Sequence, residues 1–153
     1  PSWGLTRVSE RNLGLTASYL YNDAAGQGVT AYVVDTGVYA DHSDFGGRAS
    51  MGANFMPGSP NTDENGHGTH VSGTIGGTKY GVAKKVKIVG VKVLNASASG
   101  TISGVVAGMD WVAKHAVAGK SVVNMSLGGG KSQAINDAAA RLYAANIPLI
   151  VAP

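Results

Sequence analysis

Three short apolar runs rich in β-branched residues, each followed by a helical repeat, leave this chain few folds to choose from. Val29 to Val34 is nearly continuous apolar sequence ending at Asp35, the pattern of a strand buried on both faces of a parallel sheet. Val86 to Leu94 repeats that pattern, and Ser121 to Met125 gives a third strand. Pro148 to Val151 reads as a final one. Between them Ile102, Val105, Val106, Met109, Val112, Ala113 and Ala116 recur at the spacing of a long amphipathic helix. Ser132 is placed to cap another, carried by Ile135, Ala138, Ala139 and Leu142. After a polar, proline-bearing loop from Pro57 to Asn65, His67 opens a short helix in which Val71 and Ile75 share a face and Gly76-Gly77 closes the last turn.

Strands alternating with helices predict an α/β fold, a parallel sheet with helices on both faces joined by right-handed crossovers. Ligands of such sheets sit at the carboxyl ends of the strands. Asp35, Ser126 and the loop after Leu94 all fall there.

Composition fits one folded unit. Over 153 residues, 44% are hydrophobic and 14% charged, which suits a core better than disorder, and no linker or internal repeat divides the chain. The Gly58 to Asn61 stretch reads as a surface loop. The 23 glycines point to tight turns and close backbone approaches. A net charge of +3 with scattered basic residues argues against nucleic acid as a partner, and the lone cluster Lys84-Lys85-Val86-Lys87 reads as a solvated strand entrance. The absence of cysteine excludes disulfides and thiolate metal sites. No run of 18 apolar residues predicts a membrane span.

Asp35 is the first residue with chemistry in view. A carboxylate buried at a strand end needs hydrogen-bond donors, and an imidazole would satisfy it. Position alone equally allows a turn residue, since Asp-Thr-Gly is common turn chemistry. His67 is framed by Gly66 and Gly68, which would keep its ring uncrowded. His70, three residues on, could join it and an Asp around a metal, but a closed zinc site wants further ligands, and no metal site is assigned. His42 and His115 carry no motif. Asn95-Ala96-Ser97 is a glycosylation sequon in an expected loop, whereas Asn124-Met125-Ser126 sits at a buried strand end.

Val33-Val34-Asp35-Thr36-Gly37, Asn65-Gly66-His67-Gly68-Thr69-His70-Val71-Ser72, Tyr80 to Lys85, Val91-Lys92-Val93-Leu94, Ala107-Gly108-Met109-Asp110 and Ser126 to Gly130 together resemble the subtilisin superfamily, the subtilases, and most closely its fungal branch around proteinase K. Trp3-Gly4-Leu5 and Ala25-Gly26-Gln27-Gly28 extend the likeness toward the amino terminus. In that family an acid, a histidine and a serine follow in this order. The resemblance implies that Asp35 orients His67 and that His67 is general base and then acid in an acyl-enzyme mechanism. It also implies that Ser99-Gly100-Thr101-Ile102 and Ser126-Leu127-Gly128-Gly129 are the two edges between which an extended protein or peptide substrate lies as an added strand.

Two positions depart from the fungal pattern. Ile102 stands where relatives often carry an aromatic, and Val71 where they place a cysteine.

The resemblance further implies that residues 1–153 are the amino-terminal part of a single catalytic domain, ahead of the oxyanion asparagine and the nucleophilic serine. Ser126 lacks the nucleophile turn and is not a substitute. The chain alone should then be inactive, with the carboxyl-terminal part of its own domain as its partner. Pro1-Ser2-Trp3 does not begin a signal peptide, and subtilases lose a secretion signal and propeptide, so a secreted, extracellular protein is expected. No cofactor is expected within this segment; calcium belongs to the longer protein if anywhere, because no acidic loop here matches a family site. The alternatives are a non-catalytic peptide-binding fragment and, on Asp35-Thr36-Gly37 alone, an aspartic protease with paired carboxylates. The helix-rich alternation argues against the second. An open edge at Pro148 to Val151 predicts poor stability for 1–153 in isolation.

Overall fold

The computed structural model describes residues 2–14 and 16–153; Pro1, part of the amino-terminal motif considered above, lies outside them. Five strands form one sheet: β1 (Thr30–Asp35), β2 (Ala49–Asn54), β3 (Lys87–Lys92), β4 (Ser121–Met125) and β5 (Leu149–Val151). Their order is β2-β3-β1-β4-β5, and every neighbouring pair is parallel. Among the described residues four α-helices accompany them: α1 (Trp3–Ser9), α2 (His67–Gly76), α3 (Ile102–His115) and α4 (Gln133–Ala144).

The continuous apolar run of β1 resolves into two faces. Ala31 and Val33 pack with Val38, Phe45, Val86 and Ile88 on one side, where Val71 and Ile75 of α2 cover them. Tyr32 and Val34 face the other side, against Val105, Met109 and Val112 of α3 and Ala138 and Leu142 of α4. A central parallel strand needs apolar side chains at odd and even positions alike, because helices cover both faces. Each such Val side chain contributes about 1.5–3 kcal/mol relative to exposure.

The α/β architecture and the four anticipated strands agree with the expectation. Ser121–Met125 begins and ends where the sequence placed it, and the hydroxyl of Ser132 accepts from the Ile135 N–H at 3.3 Å, capping α4. Two elements went unread. α1 is too short for a helical repeat to declare itself. β2, sequence Ala-Ser-Met-Gly-Ala-Asn, consists of small and polar residues apart from Met51, and its register against β3 shifts between Met51 and Ala53. Small residues are required there: a Cβ on Gly52 would lie 2.7 Å from the Trp111 ring.

The basic cluster is less uniform than expected. Lys85 and Lys87 are exposed, but Lys84 is half-buried, donates to the carbonyls of Thr78 and Lys79, and lies over the rings of Tyr19 and Tyr21. β5 does form an edge, with Ile150 and Val151 exposed. No helix among the described residues is long and apolar enough to cross a membrane.

Candidate active site

β1 delivers Asp35 to the carboxyl end of the sheet with its side chain fully buried. The strand end is pinned by its own carbonyl, which accepts from both Val93 N–H at 2.9 Å and Leu94 N–H at 3.2 Å as β3 turns away. Gly37 then takes φ 106°, a left-handed conformation that glycine adopts without strain. A Cβ there would also sit 2.8 Å from the Thr62 carbonyl oxygen, so turn and loop are pressed together.

Thirty-two residues later the chain returns to the same place. Gly66, again at φ 106°, caps α2, and His67 is the first helical residue. The His67 ring nitrogen Nδ1 lies 2.8 Å from Asp35 Oδ1 and 2.9 Å from Oδ2. An ionised carboxylate only accepts, so Nδ1 carries the proton and Nε2 of the neutral ring is left with its lone pair. The Thr36 N–H donates to Asp35 Oδ1 at 2.7 Å, which adds a second constraint on the carboxylate. The His67 side chain remains 47% exposed, enough to meet a second molecule.

The two flanking glycines have further roles in the fold. Gly66 serves its own left-handed backbone, and a Cβ on it would meet open space. Gly68 serves packing: a Cβ there would fall 2.1 Å from the Gly37 carbonyl oxygen. The helix start lies directly on the Asp35-Thr36-Gly37 turn.

Three residues of this site escaped sequence reasoning. Asp63 ties the loop together, accepting from the Thr36 hydroxyl, from the Asn65 and Gly66 N–H groups, and from both the N–H and the hydroxyl of Thr69. Burial pushes its carboxyl upward, but the donors of Gly66, Thr69 and Thr36 outweigh that and hold the pKa down to about 2. The Thr36 hydroxyl in turn accepts from Gly68 N–H at 2.9 Å. Lys92, fully buried, donates to the Thr36 carbonyl at 2.7 Å and lies 3.7 Å from Glu64. An Asp three residues ahead of the Gly66 cap was the available signal for Asp63; for Lys92 there was none, because a lysine inside an apolar run reads equally as a strand end.

All eight predicted cleft residues come together with His67. His67, Ser99, Gly100, Thr101, Ile102, Ser126, Leu127, Gly128 and Gly129 all line one cleft of about 740 Å³ at the carboxyl ends of the strands. Two connections form its walls, 93–101 between β3 and α3 and 126–132 between β4 and α4. Thr101 caps α3, its hydroxyl accepting from Gly104 N–H at 3.0 Å. The N–H groups of Gly100, Thr101 and residues 127–131 find no hydrogen-bond partner among the described residues. The Ser126 hydroxyl accepts from Asn124 Nδ2 at 2.9 Å and makes no bond to His67.

The remaining histidines have local roles or none. His42 accepts from Asp44 N–H at the start of the short 3-10 turn Ser43–Phe45, and His115 stacks on Trp111 at the end of α3. His70 is exposed and makes no side-chain hydrogen bond among the described residues. No group of three or more His, Asp and Glu side chains placed to hold a metal occurs among the described residues. The Asn95 side chain accepts from the N–H groups of Ser97 and Ser99 in the expected loop.

Comparison with known proteins places this geometry. A family model described as the subtilase family matches residues 26–152. Pen c 1, a subtilisin-like serine protease of Penicillium citrinum, is 56% identical over 99% of this chain and 39% of its own length. Subtilisin-like protease 6 of Trichophyton schoenleinii is 54% identical over 99% and 39%, and proteinase T of Parengyodontium album 53% identical over 98% and 52%. The crystal structure of a cold-adapted subtilisin-like serine proteinase superposes with a TM-score of 0.93 at 52% identity, covering 97% of this chain and 54% of that one. The chain thus spans between about two fifths and half the length of these curated relatives. With the Asp35–His67 pair at the strand ends, the matching family model and this superposition, the chain belongs to the subtilase family.

Proposed function

We propose that this chain supplies the acid–base half and the binding cleft of a secreted serine endopeptidase. The observation that carries the reading is the Asp35–His67 pair, bonded at 2.8 Å on the rim of a cleft whose walls offer unpaired backbone donors. Asp35 fixes the ring and its tautomer and stabilises the imidazolium when it forms. His67 Nε2 takes the proton of a serine hydroxyl as that oxygen attacks the peptide carbonyl, then gives it to the departing amine. Water repeats the cycle on the acyl-enzyme. An extended polypeptide lying between Ser99–Ile102 and Ser126–Gly129 would pair with the free N–H groups there as an added strand.

The Ser126 hydroxyl bonds to Asn124 and not to His67; in this reading the nucleophile and the oxyanion asparagine are supplied by a further part of the domain. Residues 1–153 alone would then be inactive. No step above needs a metal, and calcium, which the family resemblance suggests for the longer protein, finds no clustered acidic donors among the described residues. The extracellular location rests on the family resemblance.

The same lack of a serine at His67 favours a second reading, a non-catalytic peptide-binding fragment. Intact denaturing mass after fluorophosphonate treatment separates the two. A labelled larger species or companion chain supports the protease; only an unlabelled 15.4 kDa chain that still binds peptide supports the fragment.

A further inference from the structure

The Asp35–His67 bond joins two pieces of chain that nothing in the sequence holds together. One is the end of β1 and the other the start of α2, and the strand-end turn and helix cap both rest on glycines with left-handed backbone. Between them stands one carboxylate. Asp63 Oδ1 accepts from Thr36 Oγ1 at 2.8 Å, Asn65 N at 3.0 Å and Gly66 N at 2.9 Å; Oδ2 accepts from Thr69 N at 2.9 Å and Thr69 Oγ1 at 2.6 Å. Thr36 directly follows Asp35, while Gly66 and Thr69 bracket His67. The Thr36 hydroxyl completes the link by accepting from Gly68 N–H at 2.9 Å.

We propose that Asp63 is the positioning residue of the Asp35–His67 pair, setting the distance between strand end and helix start that catalysis requires. The inference rests on the protease reading above. Asp63 is absent from the cleft lining, so it acts through the pair and not on substrate. Five donors converging on two oxygens demand a carboxylate, and charge-assisted bonds of this kind are stronger and shorter than neutral ones. An amide cannot substitute, because its nitrogen would face N–H and O–H donors with hydrogens of its own. The other charged groups around the network are Glu64 on the same loop and Lys92 from β3, whose ammonium donates to the Thr36 carbonyl.

The test is Asp63→Asn in the full-length protease, read as kcat and KM on a peptide substrate, as the rate of fluorophosphonate labelling, and as the low-field NMR resonance of the His67 Nδ1 proton. Misplacing reacting groups by about 1 Å costs on the order of 100-fold. Expected are a kcat and labelling rate lower by about 10- to 100-fold, KM within about twofold, and a broadened or lost Nδ1 resonance. Unchanged kcat and an intact resonance, whatever the melting temperature does, overturn the proposal. Should Asp63→Asn not fold, Thr36→Val removes the hydroxyl link and Thr36→Ser restores it; Ser recovering most of the activity lost in Val supports the role, and equal activity of the two overturns it. A wild-type protein inert to both substrate and fluorophosphonate sinks the protease reading, while the Nδ1 resonance in wild type and Asp63→Asn still decides whether Asp63 positions the pair.

Discussion

Gly68→Ala tests whether close docking of α2 on the Asp35-Thr36-Gly37 turn sets the geometry of the pair. The added Cβ would lie 2.1 Å from the Gly37 carbonyl oxygen and 3.1 Å from Thr36 Oγ1. The closest ordinary C···O approach is about 3.3 Å. Backbone cannot swing aside as a flexible side chain can, so the helix start must retreat by about 1 Å, and His67 is its first residue. Overpacking of this kind costs about 1–3 kcal/mol. At about 2–4 °C per kcal/mol for a domain of 150–250 residues, the midpoint temperature should fall by several degrees. The kinetic effect should be larger in proportion: a shift of about 1 Å costs on the order of 100-fold in kcat, equivalent to about 2.7 kcal/mol of barrier. Gly73→Ala is the control, in the same helix, where a Cβ meets nothing within 4 Å. It should stabilise by about 0.5–1 kcal/mol. The assay is peptide hydrolysis and calorimetric melting of the full-length enzyme carrying each substitution. If Gly68→Ala keeps kcat within twofold of wild type, contact between helix start and turn is not what holds the pair.

Other perturbations probe the supports individually. Lys92→Met strips the donor from the buried Thr36 carbonyl and should cost about 1–3 kcal/mol in urea unfolding; an unchanged midpoint would show the ammonium to be dispensable. Thr101→Ala removes the α3 cap beneath one cleft wall and should cost about 1 kcal/mol, seen as a drop of a few degrees in thermal melting. Asp63 has a folded pKa of about 2 against an ordinary value of 3.8, so the unfolded chain binds the proton first as pH falls. Its stabilising contribution is therefore complete well above 3.8 and disappears as pH drops through about 2. Melting temperatures across that window should slope less steeply in Asp63→Asn than in wild type, and parallel slopes would contradict the hydrogen-bond account.

What was legible in the sequence was whatever one stretch of chain specifies by itself. The β-branched run before Asp35 declared a doubly covered strand because both of its faces are apolar, and α3 and α4 declared themselves through helical periodicity, α4 also through its cap Ser132. β2 stayed hidden because its neighbours demand small residues, which carry no periodic signal: Gly52 is dictated by Val89 and Trp111, not by local conformation. The identities of Asp35 and His67 were readable as motifs, and so were the cleft edges.

Tertiary structure alone decided how those motifs meet. Asp63 looks like one more polar loop residue until the chain folds back and brings Thr36, Gly66 and Thr69 to its two oxygens. Nothing local in the sequence shows that Gly68 also lies against the Gly37 carbonyl, and Lys92 reads as a strand-end charge until the Thr36 carbonyl is found as its acceptor. The sequence determined by itself which residue types stand at the strand ends and which segments form strands and helices, because propensity, capping and periodicity act over a few neighbouring residues. The 2.8 Å bond between Asp35 and His67 belongs to the fold, because it depends on contacts between segments some thirty residues apart that no local pattern encodes.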